Sequence, residues 1–508
     1  MAFIDARTLP AGSRIEADLM IIGGGMAGIT IARQFAGSTV KVAILEGGGR
    51  DLNDAAQDLY DAAGATVRAP GNADRPLNDY PRNSRARVLG GSGMVWGGKC
   101  RPLDAADFER RDWIPHSGWP MSRAQLQPFY DRACDLLEIP RFDAVPPAPV
   151  LEVGQGDFFD APVVFSKYSG GVDEAAFERF RTEFAQAPNI TVYLHANVTR
   201  IGLSKSETEV VQLDIACLDG PLHTARARRY ILAAGGIENA RLLLASNDVR
   251  PEGVGNRHDL VGRFFQGHVT YSVDEDAQTE GSALYLTPNK PMGRYLNPDR
   301  RGAHAVIASA LPGQRRLKAG NFTVTLYASA PPGPKAGARG EETVAVGQLA
   351  SRLDEAPPVL AGCFLMAEQF PNPDSRITLS DERDALGMPR VRLDWTYAAA
   401  DLDGLERTAA HFGDSLGAAA KGRFCWPAER KNLVAMSNAS RHHMGTTRMH
   451  TDPKQGVVDP HGRVHGLGNL HIAGSSVFPT SGIANPTLTI LALALRLVDH
   501  LKPQMGAA

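Results

Sequence analysis

The stretch ADLMIIGGGMAGITIARQFAGSTVKVAILEGG runs from Ala17 to Gly48, and its reading decides the fold. Leu19–Ile22 is a short apolar, β-branched run of the kind that fills a buried parallel strand. A glycine turn follows it, then a helix expected over about Met26–Phe35, then a second buried strand over Val40–Leu45. Together these make a βαβ unit. Gly23, Gly25 and Gly28 fit G-x-G-x-x-G in the strand-to-helix context that the motif requires. Gly23 makes the tight turn, Gly25 lets the backbone approach a pyrophosphate, and Gly28 lets helix and strand pack closely. The helix N-terminus then offers free N–H groups to the anion. Glu46, at the end of the second strand, is placed to accept from ribose hydroxyls and would repel a 2′-phosphate. The motif predicts dinucleotide binding and disfavours NADP, but does not by itself choose FAD from NAD. A glycine-rich turn without a ligand is the plainer alternative.

The remainder of the chain places limits on function. Its 508 residues suggest about three structural units at roughly 150 residues each. Basic and acidic residues nearly cancel, 54 against 56, which argues against nucleic acid or an anionic membrane surface as partner. The five cysteines have no C-x-x-C spacing, so neither a disulfide framework nor a zinc ribbon is expected, and a cytoplasmic location fits. The opening MAFIDARTLPAGSRIEADLM lacks the apolar core of a signal peptide. TLTILALALRLV, Thr487–Val498, is too short to span a bilayer and contains Arg496.

YILAAGGIENARLLLAS, Tyr230–Ser246, repeats the strand, small-residue turn and helix. The runs NFTVTLYAS (Asn321–Ser329) and RVRLDW (Arg390–Trp395) alternate as half-covered antiparallel strands do. VPPAPV (Val145–Val150) and APPGPKAGARG (Ala330–Gly340) read as loops. The fold class expected is α/β: a discontinuous Rossmann-like domain over 1–110, 185–270 and 430–508. Residues 111–184 and 271–429 would form an inserted substrate domain, a mostly antiparallel sheet plus helices.

A second glycine cluster lies in RVLGGSGMVWGGKCRPLDAADFERRDW, Arg87–Trp113, where Gly90, Gly91, Gly93, Gly97 and Gly98 crowd together. Such density brings backbone close to something flat or charged, unless it marks a flexible surface loop. RVLGGSGMVWGG resembles the flavin-contacting segment of the glucose–methanol–choline oxidoreductases. SGWPMSRAQLQPFYDRACDLLEI (Ser117–Ile139), ILAAGGIENARLLLAS, LVGRFFQGH (Leu260–His268) and Arg441–Leu501 resemble the same family. The likeness spans about Asp18–Leu501 and is weakest over Thr270–Asn432. SSVFPTSGIANPTLTILALAL is similar to pyranose oxidases and related bacterial sugar oxidoreductases. The resemblance implies FAD rather than NAD, and weighs against an NAD-dependent dehydrogenase. It maps Gly90, Gly91 and Ser92 near the diphosphate and ribityl chain, Trp96 and Gly97 near the isoalloxazine, and Val198 beside the adenine. It adds Arg87, Ala234, Gly474, Pro486 and Thr487 to the cofactor contacts. Val95 stands where some pyranose oxidases carry a histidine bonded to FAD, so non-covalent FAD is expected.

RHHMGTTRMH, Arg441–His450, holds two adjacent histidines that admit three readings: metal ligands, satisfied core residues, or a catalytic base. No metal-ligand spacing accompanies them, so no metal site is expected. The family's H-x-x-G-T matches His442-His443-Met444-Gly445-Thr446, which implies His442 as base, with His443 a neighbour that could face substrate. The partner implied is Asn485, whose amide can orient a substrate oxygen without titrating. Asn485 also suits a helix N-cap before Pro486. Gln369 is a further candidate substrate contact, and Phe364, Phe370, Trp395 and Trp426 are candidate sugar-stacking aromatics. A base near neutral pKa removing the O–H proton while hydride passes to flavin N5 would oxidise an alcohol. A ring hydroxyl of a sugar or glycoside is the expected substrate, with a non-sugar alcohol or natural product as alternative. Oxygen, a quinone or a redox protein all suit as electron acceptor.

Overall fold

The computed structural model describes residues 2–71, 73–77, 79–144, 153–154, 156–166, 168, 175–273, 283–286, 303–328, 359–425 and 440–507. The glycine-marked stretch forms the strand Arg14–Ile22, the helix Met26–Arg33 and the strand Val42–Leu45. They start an eight-stranded sheet ordered Phe3–Asp5, Ile190–Leu194, Val42–Leu45, Arg14–Ile22, Leu222–Leu232, Val210–Ala216, Asn197–Leu203, with Leu470–Ile472 also on Leu222–Leu232. The first five strands run parallel, as does Leu470–Ile472, and the last two close an antiparallel meander. Both faces are covered, because successive strand side chains point to opposite sides. Leu19 and Ile21 pack with Ile31, Phe35, Phe184 and Val498. Met20 and Ile22 pack with Leu126, Tyr130, Leu488 and Leu491. The helix Thr487–Met505 thereby contributes to both cores.

A second eight-stranded sheet is antiparallel throughout. Its order is Gly422–Cys425, Ala283–Leu286, Val359–Glu368, Phe322–Ala328, Ala303–Ser309, Phe158–Phe165, Lys99–Cys100, with His268–Val273 also pairing Val359–Glu368. A four-stranded sheet joins Arg376–Arg383, Pro389–Thr396, Ala62–Arg68 and Arg75–Pro76.

The layers interleave more than the sequence suggests. Lys99–Cys100, from the segment expected in the dinucleotide unit, hydrogen-bonds to Phe158–Phe165 in the second sheet. Ala62–Arg68 runs parallel to Pro389–Thr396, so the RVRLDW strand is antiparallel on one side only. The helix Arg123–Leu137, expected in the substrate unit, packs on Thr487–Met505 instead. A buried ion pair joins the layers: both guanidinium Nη atoms of Arg111 donate to Glu368, at 2.7 and 2.6 Å. VPPAPV, APPGPKAGARG and Trp426 lie outside the described residues. Among the described residues no helix is long and apolar enough to cross a membrane.

Helix and strand meet most closely at Gly28. A Cβ there would lie 2.1 Å from the Gly23 carbonyl oxygen, far inside contact distance. Gly417, in the helix Ala399–Ala418, has nothing within 4 Å of its Cβ position. Gly28→Ala is therefore expected to lower the thermal unfolding midpoint, at a cost of about 1–3 kcal/mol or more from overpacking. Gly417→Ala is expected to leave it unchanged or raise it, by about 0.5–1 kcal/mol from helix propensity. Equal midpoints for the two variants in a thermal scan would refute this.

Candidate active site

The carboxyl ends of the parallel strands open onto one cavity of about 430 Å³. That is where α/β sheets of this type bind ligands. Three helices direct their N-termini at it: Met26–Arg33, Gly235–Ala245 and Thr487–Met505. Gly25, at the first of these, has nothing within 4 Å of its Cβ position, so its backbone faces open space. The two glycine loops are joined. Gly90 N–H donates to the Gly24 carbonyl at 2.8 Å, and Gly25 bridges Gly90 as in a parallel pair. Gly90 has a φ of 102° and Gly91 a φ of 57°, conformations that favour glycine.

Glu46 is buried at the end of its strand. Its carboxylate accepts from Gly24 N–H and Gly48 N–H, both at 2.7 Å. Burial pushes its pKa above the usual range, and those N–H groups pull the other way. Arg87 is steered by Asn197, whose Oδ1 accepts from its Nη2 at 2.7 Å. Arg85, Arg87 and Arg241 surround Glu238. Arg85 donates to it at 2.8 Å and Arg241 at 3.3 Å, and these guanidinium charges hold its carboxyl below the usual range despite burial.

The histidine pair sits on a segment pinned from two sides. Met444 and Gln266 exchange backbone hydrogen bonds at 3.0 and 2.9 Å. A Cβ on Gly445 would strike the Phe264 carbonyl at 2.1 Å, and Thr446 Oγ1 donates to the Gly236 carbonyl. His442 and His443 point apart. His443 Nε2 meets the Tyr80 hydroxyl at 3.1 Å, and burial takes its pKa down to about 3. His442 Nε2 meets the Asn485 amide nitrogen at 3.1 Å, and His442 Nδ1 meets His268 Nδ1 at 2.8 Å. His268 Nε2 lies 3.1 Å from the Gly482 carbonyl.

One proton order satisfies these three contacts together. Burial lowers the His268 pKa to about 4, so the ring is neutral and carries one N–H. The Gly482 carbonyl can only accept, so that N–H is on Nε2 and the Nδ1 lone pair accepts from His442. His442 is then protonated on Nδ1 and offers its Nε2 lone pair to the Asn485 N–H. Burial, with His268 and Lys99 adding to it, holds the His442 pKa well below 6.5.

Of the residues expected from sequence, Gly23, Gly25, Glu46, Arg87, Gly91, Ser92, Val95, Trp96, Gly97, Val198, Ala234, Gly474, Asn485, Pro486, Thr487, His442 and His443 line the cavity. Gly28 and Gly90 are not part of the lining and act through backbone packing instead. Gln369 is a correction. It is fully buried away from the cavity, and its amide is occupied by Gly267 N–H at 2.9 Å, Trp395 Nε1 at 2.8 Å and the Thr396 carbonyl at 3.2 Å. Phe370 and Trp395 are core residues. Asn485 does not cap the last helix, which begins after Pro486 without a side-chain cap. Sequence reasoning assigned no role to His268 or Lys99, although both lie in stretches that it singled out.

Open backbone at Gly25, three helix N-termini and a buried carboxylate fit a dinucleotide cofactor. Comparison with known proteins agrees. Residues 18–314 match the family described as FAD dependent oxidoreductase, and residues 371–494 match the one described as GMC oxidoreductase. Paromamine 6'-oxidase of Streptomyces fradiae is 26% identical, over 94% of this chain and 90% of that protein. C-glycoside 3-oxidase of Microbacterium trichothecenolyticum is 26% identical, over 63% of this chain and 55% of that protein. The crystal structure of formate oxidase superposes with a TM-score of 0.58 at 17% identity, covering 98% of this chain and 99% of the other, which speaks to the fold alone. The chain belongs to the FAD-dependent oxidoreductases, and its residues 371–494 are similar to the GMC oxidoreductases.

Proposed function

We propose that the protein oxidises a hydroxyl group of a sugar or glycoside, with His442 as the base. The proton order Gly482 carbonyl, His268, His442, Asn485 carries this reading. It leaves one neutral imidazole nitrogen, His442 Nε2, as a lone pair on the cavity wall. A sugar hydroxyl brought there gives its proton to Nε2. The Asn485 amide, already directed at that nitrogen, steers the oxygen as the proton leaves. The imidazolium that forms keeps its Nδ1–H on the neutral His268, which stabilises it through a hydrogen bond without adding a carboxylate charge. FAD, when bound, supplies the two-electron acceptor for the hydride that leaves the same carbon. The names of the relatives, an oxidase of paromamine and an oxidase of C-glycosides, support the substrate class. Val95 lines the cavity with a side chain that has no atom able to bond to flavin, which supports FAD held without a covalent link.

The expected outcomes are specific. Anaerobic mixing with a panel of sugars and glycosides should bleach the flavin absorbance near 450 nm. Failure of every member would sink the substrate class. His442→Ala should slow that bleaching by about 10²–10⁴-fold, the usual worth of a general base. Since the folded His442 pKa is depressed, the active neutral form persists at and below pH 6.5. kcat/KM should therefore stay level from neutral pH through 6.5 and fall only below it. An acidic limb centred at or above 6.5 would contradict the assignment. Acid precipitation should leave the yellow colour in the supernatant, whereas a coloured pellet would mean a covalent link.

A further inference from the structure

One cation in this site hydrogen-bonds to neither His442 nor Asn485. The antiparallel sheet presents Phe364, Met366 and Glu368 on one face of Val359–Glu368, since alternate residues share a face. His268 stands opposite Glu368, and Thr325 stands opposite Phe364. Residues directly opposite in an antiparallel pair project to the same side. His268 and Thr325 therefore share the face that looks toward His442. Lys99, on the edge strand, reaches across this face and donates from Nζ to Thr325 Oγ1 at 3.2 Å. It lines the cavity, and its charge is close enough to act on both His268 and His442. A small apolar cluster of Ala161, Val163, Val306 and Ala308 lies in the same sheet.

The Lys99 ammonium is poorly provided for. Burial pushes its pKa down to about 8, Arg101 adds to that, and no acidic group opposes it. Among the described residues no carboxylate lies within ion-pair distance of it, and its one hydrogen-bond partner is a neutral hydroxyl. Arg101 is occupied by Asp104 at 2.6 Å. A charge drawn out of water is costly until an opposite charge joins it. The Thr325 hydroxyl, having accepted from Lys99, still has a proton to donate. An ammonium and a hydroxyl side by side match one carboxylate, which carries a single charge and two acceptor oxygens.

We propose that Lys99 and Thr325 form a carboxylate subsite, so that the alcohol oxidised at His442 belongs to a sugar acid rather than a neutral or amino sugar. This rests on the reading of the cavity as a site of sugar-alcohol oxidation. The carboxylate docks at Lys99 Nζ and Thr325 Oγ1, and a hydroxyl elsewhere on the same molecule meets His442 Nε2. The subsite takes no part in the redox step and leaves its electron and proton balance unchanged.

The test compares kcat/KM within two matched pairs, glucuronate with glucose and gluconate with glucitol. The readout is the ratio of the acid to the neutral member. In the unaltered protein the ratio should favour the acid by about 10- to 100-fold in at least one pair, as a hydrogen bond to a charged group is worth. Lys99→Met should bring that ratio close to one, and Lys99→Arg should keep part of it. Acids no better than their neutral partners in the unaltered protein would overturn the proposal, whatever the variants do. A ratio that survives Lys99→Met would overturn it too. Equal slowing of both members with the ratio intact would assign Lys99 to the flavin and overturn it likewise. If Lys99→Met does not fold, the unaltered protein and Lys99→Arg decide. Flavin bleached by neutral sugars alone defeats only the subsite, whereas flavin bleached by no sugar at all defeats the reading beneath it.

Discussion

The contact of Gly28 with the Gly23 carbonyl sets the distance between the helix Met26–Arg33 and the strand Arg14–Ile22, and the rest of the site depends on that distance. Any side chain at Gly28 would lift the helix from the strand. With it seated, the N–H groups at the helix start are presented at the carboxyl end of the sheet, where nothing crowds Gly25. The second glycine loop can then lie against the first, hydrogen-bonded from Gly90 to Gly24. That loop leads directly to Trp96 and Lys99 on the cavity wall. One missing methyl group thus governs the route of a chain segment some seventy residues further on.

Electrostatically, the cavity separates its tasks. Toward Glu238, positive charge is concentrated and partly offset: three arginines share one buried carboxylate, and Asp384 takes a second bond from Arg241 at 2.7 Å. The hydrogen-bond partners around His442 are a neutral imidazole and an amide, and the Lys99 charge nearby further disfavours its protonation. A base flanked by a carboxylate would have its pKa raised, while one flanked by a neutral histidine remains unprotonated at neutral pH. With His268 rather than an acid at this position, nothing raises the His442 pKa, and the ring stays neutral at neutral pH.

The parts legible in the sequence are those where function and structure are local. The strand, glycine turn, helix and acid of residues 17–48 lie within one βαβ unit, so spacing alone reports them. His442 was legible because H-x-x-G-T is compact: Gly445 and Thr446 are fixed by the backbone contacts that hold the histidine. His268 was not, because its role comes from a cross-chain contact with a residue 174 positions away. Lys99 was hidden for the same reason, since its partner Thr325 stands 226 positions away. Gln369, a candidate substrate contact by sequence, satisfies Gly267 and Trp395 in the core, and no local pattern announces those partners. The partnership of Ala62–Arg68 with Pro389–Thr396 has no sequence signal at all, being a pairing across more than three hundred residues.

The cavity wall draws on pieces of chain from Ile22 to Ile490, which come from both large sheets and the helices between them. No single layer holds the whole site. A molecule that fills the cavity meets segments of more than one layer, so its affinity depends on their assembly. Occupancy therefore acts on the folding equilibrium of the entire protein, by about 2.7 kcal/mol at a hundredfold excess over Kd. The cofactor is in that sense the keystone of the architecture as well as its reagent, and protein starved of flavin would be the more readily cut by proteases.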